Sequence, residues 1–218
     1  MGEAGCVVLL HGLGRSSGSM AGMARHLRRA GYRVLNLGYP SRRYCIDDLV
    51  RRYLQPAVER CGGEGGEPLH FVTHSLGGIL LRYYLESHRL PDGSRAVLLA
   101  PPNQGSVVAE RLRSLSVSRW LLGPAARELG IGPGSVPCAL GPARLEIGVI
   151  AGTRSLEPWF GGWLGEAGDG KVRAAETRLD GMQDWCAVSA THTFIMNHPA
   201  ARQATLRFLR RGSFAPPP

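Results

Sequence analysis

One residue type is almost missing from this chain. Lys171 is its only lysine, so 25 of the 26 basic residues are arginine. They are spread along the sequence without a long block, which removes the usual mark of a nucleic-acid-binding tail. Abundant Arg, Ala, Gly and Pro beside so little Lys points to a GC-rich genome. The net charge of +9 and the isoelectric point near 9.9 then imply no nucleic-acid partner and at most a weak contact with anionic lipid. Long apolar runs are missing too. None approaches the roughly 18 residues of a membrane span, so stable membrane insertion is not expected. No basic start with an apolar h-region precedes the first apolar run at Cys6, so no secretory signal is expected and the chain reads as cytoplasmic. Met1-Gly2 fails as a myristoylation site because position 6 is Cys. The five cysteines, Cys6, Cys45, Cys61, Cys138 and Cys186, are odd in number and lack close pairs. That argues against a disulfide framework or a zinc site and for buried free thiols. No cofactor is called for, there is no internal repeat, and the oligomeric state is not readable.

What is present is a regular alternation. With 218 residues, 44% hydrophobic and 20% charged, a single domain over residues 1–218 is the natural expectation. Cys6 to Leu10 is a continuous apolar run, as suits a strand covered on both faces. Ser16 to Ser19 offer caps for a helix through Met20, Met23, Leu27 and Ala30. Arg33 to Leu37 reads as a second strand. Asp47 and Asp48 suit the first turn of a helix reaching about Cys61. Leu69 to His74 reads as a strand, followed by a helix to about His88, a strand over Ala96 to Ala100, another over Leu145 to Ala151, and a last helix from near Pro199. Strands that alternate with helices make an α/β protein with a parallel, doubly wound sheet. The loops after the strands, at His11-Gly12, Ser75, Pro101 and Gly152, then share one edge. Residues 103–142 break the rhythm and are long enough for a cap of two short helices.

The stretch Thr73-His74-Ser75-Leu76-Gly77 follows an apolar strand and opens a helix-like pattern. It matches the elbow G-x-S-x-G except at its first position, where Thr73 replaces glycine. A serine held there exposes its hydroxyl over the sheet edge, and the N–H of Leu76 lies at a helix N-terminus where a developing oxyanion can bind. Gly77 is needed because a side chain would collide with the incoming strand. A second oxyanion donor is expected in His11-Gly12-Leu13-Gly14, with the N–H of Leu13 as the choice. A serine nucleophile needs a base, and the base an orienting acid. After the strand Leu145–Ala151 the acids available are Glu157, Glu166 and Asp169, the last between two glycines. Only His192 and His198 follow Asp169. His192 ends a strand-like run and is favoured, since capping of a helix explains His198. His26 and His88 read as surface helix residues, His70 as a strand residue with a local partner, and His74 as packing beside the elbow.

In this order the chain resembles the compact bacterial lipase/esterase-like α/β-hydrolases of the triacylglycerol-lipase group. The resemblance is carried by Val8-Leu9-Leu10-His11-Gly12-Leu13-Gly14-Arg15, by Thr73-His74-Ser75-Leu76-Gly77-Gly78, by Ala100-Pro101-Pro102-Asn103-Gln104-Gly105-Ser106, by Asp169-Gly170-Lys171-Val172 and by His192-Thr193-Phe194-Ile195-Met196. It implies a minimal α/β-hydrolase fold that starts at the family's third strand, with Ser75 as nucleophile, Asp169 as acid and His192 as base. Thr73 and the shortness of the cap are departures from the pattern. The function expected is hydrolysis of carboxylic esters with short-to-medium acyl chains, on a small-molecule ester or lipid-like substrate. An acyltransferase, a thioesterase or an amidase would use the same three residues, and a non-catalytic binding module would keep the fold without them. Trp120, Leu121 and Leu122 in the insertion, and Trp159, Phe160 and Trp163 in the glycine-rich loop before Asp169, are candidates for lining an acyl cleft. The bland alternative is that they pack on one another.

Overall fold

Cys6–Leu10 (β1) is buried along its whole length. So is Leu69–His74 (β3), which pairs with it in parallel. Arg33–Leu37 (β2), Arg95–Leu99 (β4), Glu146–Gly152 (β5) and Asp184–Val188 (β6) complete a six-stranded sheet in the order β2-β1-β3-β4-β5-β6, with every pairing parallel. The chain is seen in a computed structural model that describes residues 5–62, 66–113, 122–132, 134–155 and 168–216. Strands buried on both faces favour apolar residues, and this is why β1 and the Val97–Leu99 end of β4 read as Val and Leu runs, whereas β3 also buries His70, Thr73 and His74. The edge strands β2 and β6 are half-exposed and carry Asn36 and Asp184.

Successive residues of one strand point to opposite faces. Val8 and Leu10 join a core that includes Phe71, Leu98 and Val149, whereas Val7 and Leu9 join one that includes Val72, Val97 and Ile150. The first core is closed by three helices: Ile46–Leu49 (α2), Gln55–Cys61 (α3) and Leu76–Leu85 (α4). The second is closed by Ala21–Arg29 (α1) and Pro199–Arg211 (α8). Helices on both faces make the sheet doubly wound, as the alternation predicts. Each large aliphatic side chain fully buried here contributes about 1.5–3 kcal/mol. Between α2 and α3 the helix widens into a π turn, Val50–Leu54. Pro56 explains it: with no N–H and a ring that clashes with the carbonyl four residues back, it disfavours an ordinary turn there.

The insertion after β4 contains three short helices among the described residues, where two were expected: Val107–Arg113 (α5), Pro124–Arg127 (α6) and Val136–Ala139 (α7). Pro124 and Pro137 each restart the helical path in a first turn. Ala125 and Leu129 belong to the first core, and Glu128 accepts a hydrogen bond from the N–H of Ile46 at 2.7 Å. Ser106 Oγ donates to the Lys171 carbonyl at 3.0 Å, so the insertion also touches the loop that carries Asp169.

Arg82 of α4 ties both ends of this insertion. It is 5% exposed, and Nη1 donates to the Asn103 carbonyl at 2.9 Å while Nη2 donates to the carbonyls of Leu140 and Gly141, each at 3.2 Å. Burial lowers its pKa to about 10, which leaves it charged at neutral pH. Arg82→Met should cost about 3 kcal/mol, because it strands buried carbonyl oxygens without donors. Arg82→Lys should recover only part, since one ammonium cannot span both ends of the insertion. The urea midpoint reads the effect, and a midpoint unchanged in Arg82→Met would show that water replaces the guanidinium at no cost.

The cysteines correct one expectation. All five are free, but only Cys6 is buried: Cys45, Cys61 and Cys186 are half-buried and Cys138 is exposed, and Cys6 and Cys61 are neighbours in the fold although far apart in sequence.

Candidate active site

β3 ends at His74, and α4 begins at Leu76. Ser75 between them has φ 51° and ψ −119°, in the left-handed region that costs a non-glycine residue energy. Its N–H donates to the Leu99 carbonyl at 2.9 Å, and its own carbonyl accepts from Gly78 at 2.9 Å. These two bonds hold the turn sharp. The space around it is set by two glycines. A Cβ on Gly77 would stand 2.8 Å from the carbonyl oxygen of Leu10, so the obstacle is the end of β1 and not the incoming strand β3. A Cβ on Gly78 would stand 3.3 Å from Thr73 Oγ1. Gly78 therefore leaves room for Thr73, the residue that departs from the elbow pattern.

The loop after β5 brings Asp169 to the same edge. Asp169 is 3% exposed, and its Oδ1 accepts from the N–H groups of Lys171 at 3.0 Å and Val172 at 2.8 Å. Its Oδ2 accepts from His192 Nδ1 at 2.7 Å. The other ring nitrogen, Nε2, lies 3.0 Å from Ser75 Oγ. The His192 N–H also donates to the Asp169 carbonyl at 3.0 Å, so backbone and side chain both register the ring against the acid. A carboxylate on Nδ1 puts that ring proton on Nδ1 and leaves Nε2 as the acceptor facing the hydroxyl. The structure thus brings Ser75, Asp169 and His192 together. Glu157 and Glu166 lie outside the described residues, as do Trp120, Leu121, Trp159, Phe160 and Trp163. His198 precedes α8 but makes no side-chain cap bond, so capping does not explain it.

His74 packs beside the elbow. It is buried, its Nε2–H donates to the His192 carbonyl at 2.9 Å, and its ring centre lies 4.9 Å from that of His192. On the other side, a Cβ on Gly12 would stand 3.2 Å from Ser75 Cβ, so the backbone of the β1 loop lies against the serine. Sequence reasoning did not single out what holds that loop. The His11 ring stacks on Tyr39 with centroids 4.0 Å apart, its Nε2 accepts from the Tyr39 N–H at 3.3 Å, and its Nδ1–H donates to the Gly12 carbonyl at 2.9 Å. The Tyr39 hydroxyl donates to the His11 carbonyl. Burial raises the phenol pKa, so it remains a donor. In a planar trans peptide the carbonyl and the next N–H point in opposite directions. Fixing the Gly12 carbonyl therefore fixes the direction of the Leu13 N–H. Leu76 is the first residue of α4, where an N–H has no carbonyl one turn earlier to bond.

Burial also gives these histidines a shared electrostatic character. It is the main cause that lowers the pKa of His11 and His74, and that of His70, whose Nδ1 accepts from the Arg95 N–H, to about 4. Each binds a proton less well folded than unfolded. As pH falls below the ordinary 6.5, the unfolded chain takes up protons first, so stability is full above that value and is lost on the way down through about 4. His70 alone accounts for roughly 3 kcal/mol across that window. The urea midpoint should fall between pH 7.5 and 4.5, and His70→Gln should flatten the fall. A flat profile in the parent would show that the histidines are solvated.

Comparison with known proteins agrees with this architecture. A sequence profile of the alpha/beta hydrolase family matches residues 7–215. No curated protein sequence matches the chain. Among solved structures, the mature lipase BlEst2 of Bacillus licheniformis superposes with a TM-score of 0.73 at 19% identity, over 98% of this chain and 94% of that one. Its propeptide form gives 0.74 at 18% identity over 99% of this chain and 52% of the other, so the chain spans about half of that form. A monoacylglycerol lipase of Paleococcus ferrophilus gives 0.61 at 18% identity, over 97% and 96%. At these identities the likeness is one of fold, whereas the profile runs from β1 to the end of the last helix. The chain belongs to the alpha/beta hydrolase family.

Proposed function

We propose that this protein is a serine hydrolase that cleaves carboxylic esters through an acyl-enzyme. The observation that carries the reading is the unbroken hydrogen-bonded series from Asp169 Oδ2 through His192 to Ser75 Oγ, with no gap above 3.0 Å. Ser75 Oγ attacks the ester carbonyl as its proton passes to His192 Nε2. Asp169 stabilises the imidazolium that forms and keeps the ring in place. The N–H groups of Leu13 and Leu76 receive the negative charge on the carbonyl oxygen. Collapse expels the alcohol, which takes the proton from His192. Water then enters by the same path, releases the acid and restores Ser75.

Esters are favoured over amides and thioesters because the fold neighbours are named as lipases. The acyl chains proposed are short to medium, held between the segments that carry Trp120 and Leu121 and those that carry Trp159, Phe160 and Trp163. A panel of p-nitrophenyl esters of rising chain length, run with and without an alcohol acceptor, tests the reading. Turnover should climb with acyl length by at most about fourfold per methylene and then level off. Release of p-nitrophenol matched by a new ester instead of free acid would make the protein an acyltransferase, and no turnover of any ester would end the proposal.

A further inference from the structure

The arginines are scattered along the sequence but not in space. Residues 4–46 and 185–218 contain no aspartate or glutamate, yet they hold eleven of the 26 basic residues. These two segments supply α1 and α8, which pack side by side on one face of the sheet. α1 buries Met23, Ala24 and Leu27 and leaves Arg25, Arg28 and Arg29 outside. α8 buries Ala201, Ala204, Phe208 and Leu209 and leaves Arg210 and Arg211 exposed. The remaining 15 basic residues lie among all but one of the 17 acids, so the excess of positive charge comes from these two segments, and α1 and α8 carry much of it.

Three guanidinium groups gather at the corner where both helices begin, beside the edge that carries Ser75. An open groove of about 610 Å³ lies there, lined by Arg15, Ser16, Ser19, Arg25, Phe194 and Asn197. Arg15 Nη2 donates to the Thr193 carbonyl at 3.1 Å, next to His192. Arg202 Nη2 donates to Asn197 Oδ1 at 2.8 Å, which brings a third guanidinium to the groove. After burial, the nearness of Arg25 is what lowers the pKa of Arg202. Like charges are thus gathered at a cost in mutual repulsion, with no ion pair to a carboxylate described for any of the three. Among the described residues only Ile131 and Phe194 are large, apolar and exposed, and Phe194, 56% exposed, stands at this corner two residues after His192.

We infer that this corner is a docking site for an anionic phospholipid surface, with Arg15, Arg25 and Arg202 meeting the phosphate headgroups and Phe194 entering the apolar layer beneath them. Charge alone would serve a polynucleotide as well. The exposed phenylalanine inside the ring of arginines favours lipid, because a ring that enters an acyl layer gains burial that a polyphosphate backbone does not offer. No described helix is long and apolar enough to cross a membrane, so the contact is peripheral. The inference rests on the hydrolase reading only for what such a surface supplies, namely lipid-like esters delivered at the edge of Ser75.

The test reads binding and not turnover, so the two proposals fail separately. Vesicles of ether-linked phosphatidylglycerol and phosphatidylcholine contain no carboxylic ester to cleave. The protein should sediment with them at least tenfold more strongly than with pure ether-linked phosphatidylcholine, and salt near 0.5 M should release it. The double substitution Arg25→Glu with Phe194→Ser should weaken binding at least tenfold, at about fivefold per arginine charge. Arg25→Gln, milder for the fold, should give a smaller loss in the same direction. Arg211→Glu changes the charge by as much as Arg25→Glu but lies at the far end of α8, and it should weaken binding by less than threefold. Equal binding to neutral vesicles, an equal loss in Arg25→Glu and Arg211→Glu, or binding to RNA that vesicles cannot displace would each overturn the assignment.

Discussion

Ser75→Ala should lower ester turnover by roughly a millionfold and leave a folded protein, as expected when the nucleophile of a serine–histidine–acid site is removed. The fold should tolerate the change because the bonds that hold this turn are made by backbone atoms, the Ser75 N–H to the Leu99 carbonyl and the Gly78 N–H to the Ser75 carbonyl. The hydroxyl itself is bonded to His192 Nε2, whose protein partner at that atom would vanish. The serine is 8% exposed, so a small fluorophosphonate can reach it. That probe should label Ser75 in the parent and nothing in the variant. Full labelling of Ser75→Ala, or turnover within tenfold of the parent, would place the reactive group elsewhere.

Asp169→Asn should lower kcat by about four orders of magnitude, and the geometry says how. Oδ1 accepts from two backbone N–H groups, those of Lys171 and Val172, while Oδ2 alone faces His192. An asparagine must keep its oxygen toward the two N–H donors, so its NH2 is forced toward His192 Nδ1. That nitrogen can then only accept, the ring proton moves to Nε2, and the base loses the lone pair that takes the serine proton. Circular dichroism should show an unchanged fold, because the two backbone bonds survive. If Glu166→Gln abolishes activity and Asp169→Asn does not, the acid has been misassigned.

Much of this was legible because strand burial leaves a direct trace. β1, β3 and β4 read as largely apolar runs, and a residue that follows such a run must sit at the carboxyl edge of a parallel sheet. Ser75 could be picked on that ground and His192 as the end of a late strand-like run, while Asp169 stood out from Glu157 and Glu166 only by its place between two glycines and by the family resemblance. Features that depend on side chains meeting across elements left no such trace. Nothing in the sequence says that Tyr39, past the end of β2, holds the His11 carbonyl, or that Arg82 reaches carbonyls at both ends of residues 103–142. Gly77 was rightly seen as a steric necessity, but its obstacle lies on the neighbouring strand, which only register reveals. Thr73 looked like a defect because its compensation, Gly78, lies in the first turn of the next helix. The arginines looked dispersed because two acid-free segments at opposite ends of the chain become neighbours only when α1 packs on α8.

The guanidinium of Arg82 has one more consequence. It fastens the chain on entering the insertion, at Asn103, and on leaving it, at Leu140 and Gly141, to the helix that begins just after the nucleophile. A segment pinned at its base behaves as an interchangeable module. Lengthening a flexible closed loop is cheap, about 0.6 kcal/mol for each doubling. Chimeras that vary the insertion while keeping Asn103, Ser106, Ala125, Glu128, Leu129, Arg82 and the carbonyls of Leu140 and Gly141 should therefore inherit an undisturbed elbow. The fold can acquire a new roof there without rebuilding the foundation on which the serine stands.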